Sequence, residues 1–547
     1  MNITLKRISS LEKVRSVSEM NEISEITSAK VLAGEQYSFQ VCCTTQSMLD
    51  TYVFVESALA DYIDVYSVKN AVADRIKPYD DDMFMTEPGL VPDILVPLSF
   101  QKDLIKVFDD VTALWLNVKI PRQFAAGVYP IKLRLENYID RTDVSEISFE
   151  LEVLPAEIPS QSTIYTQWFY PDCIADVHGV EIYSEMHWEL VEKYMKLARD
   201  IGINMILTPI ITPPLDTEIG VKRPCTQLVK IEKCGEKYLF DFTLLDRWID
   251  MSIRCGIEYF EMAHLFSQWG LKFTPNIKVW ENGAEYYKFD TSVASTDPSY
   301  KDFLYQFLPE LIKYLKNKGI YDKCYFHISD EPNETHLEAY EYARDVLVPV
   351  LGEEKIMDAM SHVEYYKNGL TKLPVVGIDF MEDFLPENIE NRWGYYCSSQ
   401  WKKVSNRFLA MPSYRNRIIG LQIYKFNLVG FLHWGYNYYN SQNSRYNVNP
   451  YMTSSCDKTF ESGDAFTVYP MVDGPVPSLR GLIFNEALQD VEVCKKLEEY
   501  IGRDAVVKMI DDVAGMDVTF KEYPRNSTYI PNLMQKMKSI IAEYSVK

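Results

Sequence analysis

The sequence predicts a multidomain protein in which an all-β sandwich is followed by a TIM-like (β/α)8 barrel and a helical C-terminal tail. A chain of 547 residues is too long for one hydrophobic core. The hydrophobic period is two up to about residue 155, and beyond it short apolar runs alternate with segments of helical spacing. We therefore predict a sandwich over residues 1–157, a catalytic barrel over 158–500 and a helical extension over 501–547 packed on the barrel.

The sandwich prediction depends on strict alternation of apolar with polar or small side chains. No amphipathic helix of useful length interrupts this part of the chain, and a turn is predicted at Gly127-Val128. Antiparallel strands with one buried face are the direct interpretation. The range 154–159 is the predicted linker to the barrel. The alternation is clearest in four segments: 37–43, 114–120, 131–136 and 147–153.

The barrel prediction depends on eight apolar runs, each with room for a helix after it, within about 270 residues. That count and length suit a (β/α)8 barrel of about 250 residues. A doubly wound open sheet is the alternative, but no G-x-G-x-x-G or P-loop follows any run. From residue 478 onward the spacing is helical. The eight predicted strands are 164–169, 203–207, 257–262, 324–329, 355–360, 374–379, 392–397 and 429–434.

Composition and charge limit the classes of molecule that the protein is expected to bind. The chain has 56 Lys and Arg against 78 Asp and Glu, and the net charge of −22 argues against nucleic acids and anionic membranes. With 47% apolar residues it is an ordinary globular protein. The 38 Tyr and 9 Trp residues suit a sugar-binding surface, because aromatic faces stack on the C–H faces of sugars, although many must be core.

The cysteines and the N-terminus bear on metals and location. Ten cysteines form no C-x-x-C pair and no zinc spacing, so we expect reduced core residues, no metal site and no cofactor. Residues 1–7 lack the apolar segment of a signal peptide, and no stretch approaches 18 uninterrupted apolar residues. We expect a cytoplasmic protein, or a secreted one if a signal peptide has been removed.

Two adjacent carboxylic acids close the fourth predicted strand. Asp330 and Glu331 are followed by Pro332, which ends strand pairing because it has no N–H to donate. This end of the strands carries the active site in barrels of this type. Both acids face one pocket only if the strand breaks there, and their proximity raises the pKa of one, which can then act as a general acid. The alternative is that Asp330 caps the following helix.

The position of a second carboxylate decides between mechanisms. A conventional glycosidase needs one across the pocket, often at strand seven, but residues 391–456 contain no Asp or Glu, so Asp379 is the fallback. A substrate with a 2-acetamido group can instead supply its own carbonyl oxygen as the nucleophile. One acid then protonates the leaving oxygen and an adjacent carboxylate orients the acetamide N–H, which an Asp-Glu pair can do.

Further candidates are side chains at predicted strand ends that could stack on a sugar or bond its hydroxyls. Core or rim packing is the alternative for each. Trp269 falls at a similar position, and we interpret His327 as a core histidine supporting the acids. The candidate substrate-binding residues are Trp168, His264, Tyr396, Trp434, Tyr436 and Asn437.

Several motifs together resemble glycoside hydrolase family 123, which overlaps the group called domain of unknown function 4091. They are H-I-S-D-E-P at 327–332, G-F-L-H-W-G-Y-N at 430–437 and G-D-A-F-T-V-Y-P at 463–470, with similar sandwich segments at 92–98 and 121–129. The resemblance implies a β-sandwich, a (β/α)8 barrel and β-N-acetylgalactosaminidase activity by substrate assistance. It further implies Glu331 as general acid/base and Asp330 as the acetamide-orienting residue. The run 480–487 is less acidic than the family pattern, and we interpret it as structural.

Three hypotheses follow. The leading one is an exo-acting, retaining β-N-acetylhexosaminidase that acts on a glycan or glycoside with a terminal N-acetylhexosamine, with N-acetylgalactosamine preferred on grounds of resemblance. The second is a conventional two-carboxylate glycosidase with Glu331 as acid and Asp379 or a loop acid opposite. The third is a non-catalytic carbohydrate-binding protein on the same fold, against which the adjacent acids argue.

Overall fold

The computed structural model describes residues 2–77, 80–99, 102–268 and 270–546. Its N-terminal part consists of strands, with one short helix, α1 (Val17–Glu22), between the first two. The strands are β1 (Thr4–Ser9), β2 (Ser28–Ala33), β3 (Gln36–Thr44), β4 (Leu49–Glu56), β5 (Ile63–Ala73), β6 (Gly89–Pro97), β7 (Leu104–Val107), β8 (Thr112–Lys119), β9 (Gly127–Asn137) and β10 (Val144–Glu157).

These strands form two five-stranded sheets, ordered β1-β3-β8-β5-β6 and β2-β10-β9-β4-β7. The predicted alternation is what brings the sheets together, since apolar side chains of both meet in one buried core. Phe39 of the first sheet stacks on Phe149 of the second with 4.3 Å between ring centroids. Strands β2 and β10 pair in parallel, whereas β9 and β10 pair antiparallel.

The rest of the chain alternates strands and helices. Its strands are β11 (Ile164–Gln167), β12 (Met205–Thr208), β13 (Lys230–Cys234), β14 (Lys237–Asp241), β15 (Tyr259–Met262), β16 (Ile277–Glu281), β17 (Ala284–Phe289), β18 (Cys324–Phe326), β19 (Met357–Met360), β20 (Leu373–Gly377), β21 (Trp393–Tyr395), β22 (Gly430–His433), β23 (Val468–Met471) and β24 (Gly474–Pro477). Its helices are α2 (Pro171–His178), α3 (Glu185–Asp200), α4 (Thr243–Arg254), α5 (Pro298–Asn317), α6 (Leu337–Leu351), α7 (Glu364–Lys367), α8 (Met381–Phe384), α9 (Ser413–Arg417), α10 (Ile419–Lys425), α11 (Leu479–Ile501), α12 (Arg503–Ala514) and α13 (Tyr529–Ser545).

Eight parallel strands form one sheet in the order β18-β15-β12-β11-β22-β21-β20-β19. A single parallel bridge between Phe326 and Ile356 joins its two ends, so the sheet is nearly closed into a barrel. Each of the eight predicted apolar runs contributes one of these strands, because a strand buried on both faces is apolar along its length. The helices outside are uneven in length, and α7 and α8 have only four residues each.

Two insertions that the sequence pattern did not predict interrupt the barrel. The hairpin β13–β14 follows β12, the hairpin β16–β17 follows β15, and the two combine into a sheet ordered β14-β13-β16-β17. The hairpins meet in parallel at Glu232 and Trp280. Strands β13 and β14 alternate in exposure, but each has only five residues, three of them exposed, which is too short for a clear apolar period. The inserted sheet stands at the end of the barrel where the strands terminate.

Buried ion pairs connect the barrel and the C-terminal helices to the sandwich. Arg480, at the start of α11, bonds Asp93 of β6 through Nε and Nη2, both at 2.9 Å, and Tyr469 donates to the same carboxylate at 2.6 Å. Lys538 of α13 lies 2.7 Å from Glu35 of the sandwich. Helix α13 packs against β2, β10 and α11. The segment 480–487, which departs from the family pattern, therefore contains an anchor between the two parts.

The described residues contain no helix with the length and apolarity needed to cross a bilayer. Within the same ranges, no group of three or more His, Cys, Asp or Glu side chains could hold a metal ion. Seven of the ten cysteines are buried, in accordance with a core role: Cys42, Cys43, Cys173, Cys255, Cys324, Cys456 and Cys494.

Candidate active site

A cavity of about 220 Å³ opens at the C-terminal ends of the barrel strands. This is less than the ~300–1,000 Å³ of pockets for drug-sized ligands, and it suits one sugar unit. Side chains from seven of the eight strands or the loops after them converge on it, and six of the seven contribute polar or aromatic groups, as expected for this face of a barrel. The lining residues are Trp168, Tyr170, Leu215, Asp216, Gln268, Asp330, Glu331, Ala359, Tyr395, Cys397, Ser398, Ser399, Leu432, Trp434 and Phe460.

The predicted strand break brings both acids to this cavity. Strand β18 ends at Phe326, earlier than predicted, and Glu331 has φ of +44°, in the left-handed region that non-glycine residues rarely adopt. Because of this turn Asp330 and Glu331 both line the cavity instead of alternating sides. The next helical turn begins at Glu334, and its cap is Asn333. Asp330 is therefore not a helix cap.

Asp330 is buried and has one side-chain donor. Gln268 Nε2 donates to Asp330 Oδ2 at 2.5 Å, and Gln268 Oε1 accepts from the backbone N–H of Asp216 at 2.5 Å. Burial raises the pKa of Asp330 well above its ordinary value and the neighbouring Glu331 charge adds to the rise, while the Gln268 hydrogen bond opposes it. Gln268 thus stabilises the ionised form of Asp330 and fixes its orientation.

Glu331 is partly exposed to the cavity and is held by Tyr395, whose hydroxyl donates to Oε1 at 2.8 Å. Burial raises the pKa of Glu331, the Tyr395 hydrogen bond opposes that rise, and the charges of Asp464 and Asp379 add to it. The like charges of two neighbouring carboxyls disfavour the ionisation of both together, and the upward pKa shift is the stronger at Asp330. A carboxyl with a raised pKa keeps its proton to higher pH, as a general acid must.

A buried network behind the acids holds the segment that carries them. His327 lies between Glu261, 2.6 Å from Nε2, and Asp358, 3.3 Å from Nδ1. Burial lowers its pKa, but the two carboxylates more than compensate and raise the pKa of His327 to about 9. Asp358 also accepts from the backbone N–H groups of Ile328 at 3.0 Å and Ser329 at 3.3 Å. His327 is thus a core residue that supports the acids, as predicted, although it lies one residue beyond the end of β18.

Two of the predicted tryptophans line the cavity, and each is fixed by its indole N–H. Trp168 donates from Nε1 to Glu261 at 2.6 Å, and Trp434 donates from Nε1 to Asp464 at 2.9 Å. Burial raises the pKa of Asp464 to about 6. Rings held at their polar edge present fixed apolar faces, on which a sugar ring can stack.

His264 and Tyr396 lie behind the lining of the cavity. The His264 ring is buried and stacks on His327 with 4.1 Å between centroids. Strand β21 ends at Tyr395, which faces the cavity, so the next residue, Tyr396, points to the other side. The Tyr396 hydroxyl is 3.2 Å from Asn416 Oδ1 in the core. Trp269 lies outside the described residues.

Tyr436 and Asn437 are buried below the cavity. The Tyr436 hydroxyl donates to the backbone carbonyl of Tyr194 at 2.7 Å. Asn437 accepts from the N–H of Tyr170 at 2.9 Å and donates to its carbonyl at 3.0 Å. Since Tyr170 lines the cavity, Asn437 positions a wall residue instead of contacting the space itself.

Of the two alternatives that the second hypothesis left open, Asp379 or a loop acid, it is a loop acid, Asp216, that reaches the cavity. Asp379 does not line it and accepts a 2.9 Å hydrogen bond from Gln400. Within the described ranges the lining carboxylates are Asp330, Glu331 and Asp216. Asp216 has φ of +41°, and its Oδ2 accepts from the hydroxyl of Tyr438 and from the backbone of a neighbouring loop. Its loop has no hydrophobic period, so the only signal is an acid soon after a predicted strand.

The comparisons agree with this geometry. The sequence model of the glycoside hydrolase 123 catalytic domain matches residues 168–497, more than half of the chain. The fold is similar to that of a family 123 glycoside hydrolase from Clostridium perfringens, whose structure was analysed for glycolipid glycan hydrolysis. The two share 16% sequence identity at a TM-score of 0.71, over 100% of this chain and 98% of that one.

A presumed glycoside hydrolase from Bacteroides vulgatus aligns with 78% of this chain and 76% of its own, at 8% identity and a TM-score of 0.28, too low to show a shared fold. The comparison with curated protein sequences found no match. The family model, in contrast, spans the acid pair, both cavity tryptophans and seven of the eight barrel strands, since β11 ends at Gln167, immediately before the matched range. The chain therefore belongs to glycoside hydrolase family 123, and the cavity is the candidate active site of a glycoside hydrolase.

Proposed function

We propose that the chain is an exo-acting β-N-acetylhexosaminidase, with N-acetylgalactosamine preferred, that retains configuration through participation of the 2-acetamido group on a (β/α)8 barrel. The observation that carries the proposal is the acid pair on one wall of a cavity sized for one sugar. Asp330 is held by Gln268 and Glu331 by Tyr395. Two neighbouring acids with separate donors can take different protonation states.

In this mechanism protonated Glu331 gives its proton to the glycosidic oxygen as the bond from that oxygen to C1 breaks. The acetamido carbonyl oxygen bonds to C1, which yields an oxazolinium ion. Asp330 must then be ionised although its pKa is the more strongly raised of the two. The acetamido N–H donates to Asp330, as Gln268 does, which favours the ionised form, and the carboxylate stabilises the developing positive charge. Water then gives a proton to Glu331 and bonds to C1 as the bond from C1 to the acetamido oxygen breaks. The oxazolinium ring opens, the configuration at C1 is retained, and the acid form of Glu331 is restored.

The second candidate is a conventional two-carboxylate glycosidase. Asp216 is the better second carboxylate for it, because Asp216 lines the cavity and Asp379 does not. Asp216 Oδ1 is buried without a hydrogen-bond donor in the described part of the chain. In this scheme Asp216 would be the nucleophile or base and Glu331 the acid, and the sugar would need no acetamido group. A non-catalytic carbohydrate-binding protein is the third candidate, and it would bind sugars at the cavity without turnover.

The test is hydrolysis of matched 4-nitrophenyl β-glycosides of N-acetylgalactosamine, N-acetylglucosamine and galactose, with a thiazoline inhibitor in parallel. We expect cleavage of the acetamido sugars alone, inhibition by the thiazoline and a higher kcat/KM for the galactosamine. Cleavage of the plain galactoside, with loss of activity in Asp216→Asn, would establish the two-carboxylate mechanism instead. If calorimetry shows that the glycosides bind but none is cleaved, the protein is the third candidate, a non-catalytic carbohydrate-binding protein.

A further inference from the structure

A short segment of the sandwich reaches the candidate active site from behind. Residues 74–77 follow β5 and contact two barrel loops that carry cavity-lining residues. Lys77 donates from Nζ to the backbone carbonyl of Ser398, which lines the cavity. The residues before Lys77 contact the loop 453–464, between β22 and β23. Part of the wall of the cavity is therefore supported by the sandwich.

The loop 453–464 places two side chains against Trp434. Phe460 lines the cavity, and its ring packs on the Trp434 ring with 4.9 Å between centroids. Asp464 accepts from Trp434 Nε1 at 2.9 Å and lies 3.2 Å from His433 Nε2. The position of the Trp434 ring in the cavity therefore depends on where the loop holds Phe460 and Asp464.

The backbone of this loop is unfavourable by itself. Cys456, Asp457 and Lys458 have φ of +52°, +60° and +62°, so three successive non-glycine residues are left-handed. Such residues adopt this conformation singly, and it persists only where surrounding contacts hold it. The conformation of the loop therefore depends on contacts from outside these three residues.

Asp74 of the sandwich organises those contacts. Its Oδ2 accepts from Thr453 Oγ1 at 2.7 Å and from Ser455 Oγ at 2.6 Å. The same two hydroxyl oxygens accept from the backbone N–H groups of Asp457 at 3.2 Å and Lys458 at 2.8 Å. Because an ionised carboxylate can only accept, it directs both hydroxyl protons to itself and leaves their lone pairs to the left-handed turn.

The end of the loop is held by the same sandwich segment. Ser462 Oγ donates to Asp74 Oδ1 at 3.3 Å and accepts from the N–H of Arg75 at 2.9 Å. The Ser462 N–H donates to the Arg75 carbonyl at 3.1 Å, and the Arg75 guanidinium donates to the carbonyls of Lys458 and Thr459. Burial raises the pKa of Asp74, but its hydrogen bonds outweigh burial and lower the pKa below its ordinary value. Asp74 is therefore the ionised acceptor that both ends of the loop share.

We propose that Asp74 is a positioning residue for the candidate active site: it fixes the loop 453–464 and, through Phe460 and Asp464, the Trp434 ring on which the sugar stacks. The proposal rests on the proposed binding and cleavage of a terminal sugar in this cavity. The sandwich then has a part in substrate binding, although the acids and the cavity belong to the barrel.

The test is the separate effect of Asp74→Ala on kcat and KM for the 4-nitrophenyl glycoside of N-acetylgalactosamine. We expect KM to rise about fivefold or more and kcat to change less than about twofold, because stacking holds the sugar equally in the ground and transition states. In a Trp434→Ala background the further rise in KM should be smaller, because the ring that Asp74 positions is absent. Should Asp74→Ala fail to fold, Asp74→Asn, which keeps the volume and one acceptor, replaces it with the same expectation.

The matched control is Glu35→Gln, which weakens a different buried contact of the sandwich, the one with Lys538 of α13. It should lower the free energy of unfolding and leave KM as in wild type. An unchanged KM in the Asp74 variant would overturn the proposal. So would an equal rise in KM in the control, or an undiminished rise in the Trp434→Ala background.

Failure of the proposed function can be told apart from failure of this proposal. If wild type cleaves no acetamido glycoside, the proposed function fails by itself, and amide hydrogen exchange then tests the role of Asp74. Faster exchange in residues 433–436 and 453–464 of Asp74→Ala, but not of Glu35→Gln, supports that role. Exchange as in wild type in those two segments overturns it.

Discussion

Gln268 joins the loop after β12 to the acid at the end of β18, because its amide donates to Asp330 and accepts from the N–H of Asp216, both at 2.5 Å. The orientation of Asp330 therefore depends on a residue outside the Asp-Glu motif. Gln268 also lines both the candidate active site and a neighbouring cavity of about 380 Å³. A change at this one amide should alter the chemistry and the shape of the site together.

Replacement of Gln268 by Ala should lower kcat about tenfold, since an oriented hydrogen bond to a charged group contributes roughly 1.5–3 kcal/mol. The Gln268 hydrogen bond lowers the pKa of Asp330, so its loss should raise that pKa. Because the proposed mechanism uses Asp330 in its ionised form, the acidic limb of the kcat/KM profile should move to higher pH. Gln535→Ala on an exposed face of α13 is the control. An unmoved acidic limb would contradict the role given to Gln268.

Replacement of the acids themselves should separate their roles. Glu331→Gln cannot protonate a leaving group, so it should abolish cleavage of glycosides with poor leaving groups and spare activated aryl glycosides more. Asp330→Asn should lose ~2–4 kcal/mol of transition-state stabilisation for both kinds of substrate, as for one preorganised electrostatic contact. The measurement is kcat/KM on both kinds of glycoside. Equal retention of activity by the two variants would refute the assignment.

Asp464→Asn should move the basic limb of the kcat/KM profile to lower pH. The Asp464 charge contributes to the raised pKa of Glu331, and a general acid loses activity as pH rises through its own pKa. The asparagine oxygen can still accept from Trp434, so the ring should stay in place. The control is Asp473→Asn, an exposed acid on the β23–β24 turn. A basic limb at the same pH in Asp464→Asn would show that this charge does not reach Glu331.

The imidazolium of His327 should make stability depend on pH. Its folded-state pKa, about 9, lies above the unfolded value of ~6.5, so its contribution is complete below pH 6.5 and is lost as pH rises through 9. At 1.36 kcal/mol per pKa unit the loss is at most about 3 kcal/mol. In Asp358→Asn one of the two supporting charges is gone, and the loss should begin at lower pH. The test is the free energy of unfolding from urea titration, measured between pH 6 and 9.5 for wild type and Asp358→Asn. The same pH dependence in both proteins would refute the prediction.

Asp93→Asn should destabilise the whole protein. The change leaves the Arg480 guanidinium buried without its carboxylate, and breaking a buried pair costs roughly 3–5 kcal/mol. The free energy of unfolding from urea titration measures the effect, with Asp61→Asn, an exposed acid of the sandwich, as control. A loss under 1 kcal/mol would mean that water reaches Arg480 when its partner is removed.

The sequence was informative where burial dictates residue type. Each barrel strand is a buried apolar run, so all eight could be located, and the acids at the end of β18 interrupt their run abruptly. The inserted sheet could not be predicted, because its strands have only five or six residues each, too few for a sustained apolar period. The same limit applies to Asp216 and Gln268, which lie on loops whose paths depend on tertiary contacts.

The aromatic candidates show a second limit of prediction from sequence: the sequence does not fix which residues of a strand face the cavity. Tyr395 and Tyr396 are adjacent and chemically alike, and where β21 ends decides that Tyr395 contacts Glu331 while Tyr396 faces the core. A shift of one residue exchanges the two faces of a strand. Asn437 likewise occurs in a motif near the cavity, yet its hydrogen bonds go to the backbone of Tyr170. Composition at a strand end can nominate a site residue but cannot choose between neighbours.

The pairing of Glu35 with Lys538 has a consequence for how the molecule is made. The two residues lie at opposite ends of the chain, and both are buried where they meet. Lys538 is translated about 500 residues after Glu35, so the newly made sandwich holds Glu35 without its cation during that interval. The sandwich is therefore completed by a helix that is synthesised much later, and the order of synthesis is not the order in which the fold closes.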